Sequence, residues 1–75
     1  MMIKGEYYRE LHRTAKEYGI FMLIRDDTVK VFWDNPKECL IIQEKIEGLG
    51  LDILSAKHCR DKKSKDLIVS RFTVG

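Results

Sequence analysis

The chain has 75 residues, enough for one domain spanning 1–75, and at that size an apolar core is thin unless a partner completes it. Fourteen basic against twelve acidic residues leave a formal charge of +2, too little to argue for nucleic acid by itself, and 35% charged residues imply a well-solvated surface. No stretch approaches the roughly 20 apolar residues of a membrane span and no signal-peptide pattern is present, so a cytoplasmic setting without membrane contact is expected.

In chain order, Tyr8, Leu11, Ala15 and Tyr18 fall three or four apart between residues 5 and 18, with Arg9, Glu10, Arg13, Lys16 and Glu17 free to face solvent. This spacing predicts an amphipathic helix that Gly19 stops. Ile20 to Arg25 is a short apolar run, Asp26-Asp27 a turn, and Thr28 to Trp33 an alternating β-rich segment, which together predict a tight hairpin. Asn35 then suits an N-cap, Pro36 the first helical position and Glu38 the acid of a capping box. Cys39, Ile42, Ile46 and Leu49 form one stripe of a second helix over 36–48, and Gly48 or Gly50 supplies a left-handed stop. A second hairpin follows, its turn within His58 to Asp66. In the last strand Ile68, Phe72 and Val74 point one way and Leu67, Val69 and Thr73 the other.

The two halves repeat. Tyr18-Gly19-Ile20-Phe21-Met22-Leu23 and Leu49-Gly50-Leu51-Asp52-Ile53-Leu54 lie 31 residues apart, each closing a helix and opening a strand. The expected order is α-β-β-α-β-β: an α+β fold in which two helices cover one face of a four-stranded antiparallel sheet, as in a permuted ferredoxin-like arrangement.

From residue 28 to 74 the chain also resembles the ACT domain, a small regulatory module attached to metabolic enzymes. The matching stretches are Thr28-Val29-Lys30-Val31-Phe32-Trp33, Asp34-Asn35-Pro36-Lys37, Leu49-Gly50-Leu51-Asp52-Ile53-Leu54-Ser55-Ala56-Lys57 and Ser70-Arg71-Phe72-Thr73-Val74. The flavour is nearest to the ACT repeats at the C-terminal end of the nitrogen-regulatory uridylyltransferase. The resemblance implies a non-catalytic regulatory or interaction domain that dimerises through its sheet, or serves a larger parent protein, and senses an amino acid. The ligand would face Asp34, Asn35, Lys37 and Glu38 at the start of the second helix. Lys37 stands where the family usually has glycine, which narrows the approach to the backbone amides.

Two other functional readings come from the residues. Apolar side chains on both faces of the last strand point to a protein-binding or oligomerisation module without a ligand, with Phe21, Trp33, Leu67, Val69 and Tyr7 or Tyr8 as interface anchors. Arg60, Lys62, Lys63 and Lys65 could contact phosphate, but Asp61 and Asp66 interrupt them and no aromatic platform shares their segment, so a solvated turn is the favoured reading over a nucleic-acid site. No P-loop, nucleophile elbow, metal-ligand spacing or dinucleotide turn is present, so no catalytic residue, metal or cofactor is assigned and an enzyme is not expected. His12 is expected on the surface, His58 half-buried in a strand, and Cys39 and Cys59 as buried or half-buried thiols.

Overall fold

The computed structural model describes residues 3–75. It has the order α1 (Gly5–Tyr18), β1 (Phe21–Arg25), β2 (Thr28–Trp33), α2 (Pro36–Gly48), β3 (Ile53–Arg60) and β4 (Ile68–Val74). Both helices end where left-handed glycines permit it: Gly19 has φ of 67° and Gly50 of 85°. Past Gly19, the Ile20 amide donates to the Ala15 carbonyl at 2.7 Å, which closes α1 and sends the chain directly into β1. Asn35 caps α2 as its sequence predicts, its Oδ1 accepting from the Lys37 amide at 3.1 Å.

The four strands form one antiparallel sheet in the order β1-β2-β4-β3. This is a ferredoxin-like sheet whose first strand has moved to the end of the chain. Each αββ half supplies one hairpin, and the second strands of the two hairpins, β2 and β4, meet at the centre. The β1–β2 turn is two residues long, and Asp26 takes a positive φ of 54°.

Both helices lie on one side of the sheet, α1 against β1 and α2 against β2, and they also pack on each other. Leu11 and Ala15 of α1 meet Cys39, Ile42 and Ile46 of α2 over Met22, Val29, Val31, Phe72 and Val74. The helical stripe of α1 is narrower than its spacing predicts, because Tyr8 and Tyr18 are exposed. Glu10 joins the helices on the outside, 3.4 Å from Lys45 and 3.1 Å from Arg13; such half-exposed pairs contribute little.

β3 is different from the other strands. It is an edge strand of which only Ile53 packs against the core, and every side chain from Ala56 to Arg60 is exposed. Two expectations are corrected here. Cys59 is an exposed thiol, not a buried or half-buried one, because it lies on the side of the sheet opposite the helices, and His58, on the helix side, is exposed because it sits at the edge strand. A third correction concerns His12, which is half-buried between the helix and its surroundings, with a buried Nε2 that has no hydrogen-bond partner among the described residues. No helix among the described residues is long and apolar enough to cross a membrane.

Candidate functional site

A cleft of about 400 Å³ opens where β1, β2 and the β3–β4 turn meet the start of α2. Phe21, Phe32, Trp33 and Leu67 form its apolar wall, and Asp34, Glu38 and Asp61 supply its charge. Two of the expected ligand-facing residues, Asp34 and Glu38, are thus brought together with three of the expected interface residues, Phe21, Trp33 and Leu67. Asn35 and Lys37 are not part of this wall. Glu38 does not close a capping box either, since no bond from its carboxylate to the Asn35 amide is present among the described residues; it borders the cleft instead.

The start of α2 has little to offer an anion. Pro36 has no amide hydrogen, the Lys37 amide is taken by Asn35 Oδ1, and the Glu38 amide donates to the Asn35 carbonyl at 3.0 Å. The donors through which a helix N-terminus usually holds a carboxylate are therefore satisfied internally. With three carboxylates on the cleft and no free amide, the geometry favours a cationic group over an anionic one.

Beneath the cleft lies a polar node inside the core. Ser70 on β4 is 0% exposed. Its Oγ accepts from Trp33 Nε1 at 2.7 Å and from the Cys39 thiol at 3.4 Å, and it lies 2.6 Å from His58 Nδ1, to which its own hydrogen can donate. The hydroxyl has one donor and two acceptor lone pairs, so these partners satisfy it completely. A serine beside a histidine invites a catalytic reading. Here the oxygen has no exposed surface from which to attack, and it is already accepting two hydrogen bonds; the node is a structural tie.

The side of the sheet opposite the helices carries an ordered surface. Strand pairing places Phe21, Phe32, Val69 and Cys59 in one row across the four strands, Leu23, Lys30, Arg71 and Lys57 in the next, and Arg25, Thr28, Thr73 and Ser55 in the third. Phe21 stands edge-on to Phe32, with ring centroids 5.0 Å apart, and is 62% exposed. Val69, expected as an interface residue, does lie in this row but is only 8% exposed, its flanks covered by its neighbours. Trp33 faces the helix side, where its indole is tied to Ser70, and Tyr7 and Tyr8 sit on α1 in the other layer. None of these three can join an interface on the open face.

Arg60, Lys62, Lys63 and Lys65 lie in or beside the β3–β4 turn, which is pinned from within. The Ser64 amide donates to Asp61 Oδ2 at 3.2 Å, and the Asp61 amide to the Leu67 carbonyl at 2.9 Å. Lys62, Lys63 and Lys65 are exposed, and Arg60 reaches the Lys65 carbonyl at 3.5 Å. No group of three or more His, Cys, Asp or Glu residues is placed to hold a metal among the described residues. The sequence reading missed the cations of the open face, Arg25, Lys30, Lys57 and Arg71. They belong to four different strands, and only the alternation within each strand, read together with the strand order, could have grouped them. Comparisons with protein-family models, with characterised proteins and with solved structures find no match.

Proposed function

We propose that this protein is a small non-catalytic interaction domain of the ACT type, working in the cytoplasm, which assembles with a second copy through the β3 edge of its sheet. The observation that carries the reading is that β3, eight residues long, has one unpaired edge and exposed side chains on both faces from Ala56 to Arg60. A long bare edge is a template for another strand, and soluble proteins usually cover or shorten it. The opposite edge, β1, is five residues long. Antiparallel pairing of two β3 strands centred on Ala56 would set Lys57 opposite Ser55 of the second copy, so no cation meets a cation. The resemblance of residues 28–74 to the ACT pattern supports the same mode of association, and the internally satisfied start of α2 favours assembly over amino-acid sensing.

Sedimentation equilibrium tests this reading. A dimer is expected at micromolar concentration, and Ala56→Asp, at an exposed position, is expected to give a monomer with an unchanged circular dichroism spectrum. A wild-type protein that stays monomeric throughout that range would remove the reading.

A further inference from the structure

The open face of the sheet combines two features that a protein partner does not require together: the exposed ring of Phe21, and a row of three adjacent cations beside it. Lys30, Arg71 and Lys57 stand next to one another on β2, β4 and β3, at the roughly 4.8 Å spacing of neighbouring strands. Like charges set side by side on a sheet oppose folding. Among the described residues the ion pairs are those of Glu10, on the helix side of the molecule, so no carboxylate is in direct salt-bridge contact with this row. Arg25, Lys30 and Arg71 also border a hollow of about 360 Å³, whose acids, Asp26 and Asp27, sit at the hairpin turn; Asp27 accepts from the Thr28 hydroxyl at 3.3 Å.

We infer that this face binds single-stranded nucleic acid, a base stacking on the exposed ring of Phe21, which Phe32 supports edge-on, while the phosphates run across Lys30, Arg71 and Lys57. Stacking on an aromatic platform with an adjacent cationic track is the physical requirement for holding a single strand without reading its sequence. The carboxylates of Asp34, Glu38 and Asp61 lie on the cleft side of the aromatic row, which directs the phosphates to the other side, where the cations are. A second copy packed face to face is a poorer occupant: the cationic row is the middle one of three, and a two-fold axis through the centre of the face would bring it against itself. The inference is independent of pairing through β3, because an antiparallel β3 junction leaves the open face of each copy free.

The test is fluorescence anisotropy of a labelled oligothymidylate titrated with the full chain at low salt, with the corresponding duplex and polyglutamate as competitors. Saturable binding is expected for the single strand, with Phe21→Ala weakening it by at least about fivefold. Each of Lys30→Gln and Arg71→Gln should reduce the slope of log Kobs against log salt by about 0.7. Ala56→Asp, which breaks the proposed dimer, should still bind, so failure of assembly and failure of this inference are distinguishable. The inference is overturned by the absence of any anisotropy change at micromolar protein. It is equally overturned by polyglutamate or duplex competing as well as unlabelled single strand, by an unaffected Phe21→Ala variant of intact fold, or by binding that responds only to Lys62→Gln and Lys63→Gln in the hairpin.

Discussion

Trp33 and Ser70, 37 residues apart in the chain, are joined by a 2.7 Å hydrogen bond from the indole nitrogen to the serine hydroxyl, which locks β2 to β4 on the helix side of the sheet. Ser70 pairs in register with Val31, next to Trp33 on the same face. Replacing Ser70 with alanine leaves the Trp33 donor without its partner and also strips Cys39 and His58 of theirs. We expect Ser70→Ala to lower unfolding free energy by about 1–3 kcal/mol, measured by urea denaturation. A shift in Trp33 fluorescence should accompany it in the folded state; an unchanged midpoint and an unchanged spectrum would contradict the role assigned to the node.

His12 offers the opposite case. Its ring lies 4.4 Å from that of Tyr8, and its buried Nε2 has no partner among the described residues. An unpaired polar atom out of water is a cost, and a phenylalanine of similar shape removes the atom while keeping the ring contact. His12→Phe is expected to raise stability by about 1 kcal/mol, seen as a melting temperature several degrees higher. A lower melting temperature would mean that Nε2 is hydrogen-bonded in solution.

The β1–β2 turn depends on Asp26 holding a left-handed conformation. Asparagine tolerates that region as well as aspartate does, while a β-branched residue is strained there. Asp26→Asn should therefore leave the urea midpoint nearly unchanged, and Asp26→Val should cost about 1–2 kcal/mol. Equal midpoints for both variants would show that the turn relaxes freely.

Amino-acid sensing meets a specific obstacle at α2, whose first donors are engaged by Asn35. Calorimetric titration with glutamine and other common amino acids is expected to give no saturable heat at millimolar concentration. A clear plateau that vanishes in Asp34→Ala would reverse this conclusion and place a ligand in the cleft.

Most of the fold was legible because its signals are local. Asn35-Pro36 marks the start of α2, Gly19 and Gly50 mark where each helix must turn, and Asp26-Asp27 marks the tight hairpin; each works through residues within a few positions of one another. The Ser70 node was not legible, since Trp33, Cys39 and His58 reach it from three other elements. The bare state of β3 was hidden for a related reason. Its sequence, Ile53 to Arg60, mixes apolar and charged residues as a half-covered strand would, and only its place at the edge of the sheet explains why Ala56 and His58, which point to the helix side, are in water. The candidate site was legible in part: Asp34, Glu38, Phe21 and Leu67 do converge, but the aromatic row sits beside the basic hairpin only because β1 pairs with β2 and β2 with β4.

The central position of β4 has a consequence for synthesis. β4 completes the middle of the sheet by pairing on both sides, with β2 and with β3, and it contributes Phe72 and Val74 to the core. A nascent chain that has not yet passed Ile68 holds a β1–β2 hairpin, two helices and an unpartnered β3, with the apolar faces of both helices only partly covered. Local hairpins and helices form quickly, while the long-range β2–β4 pairing must wait for the final strand. The sheet is therefore complete only once residues 68–74 are available, and before then the chain is most exposed to wrong partners.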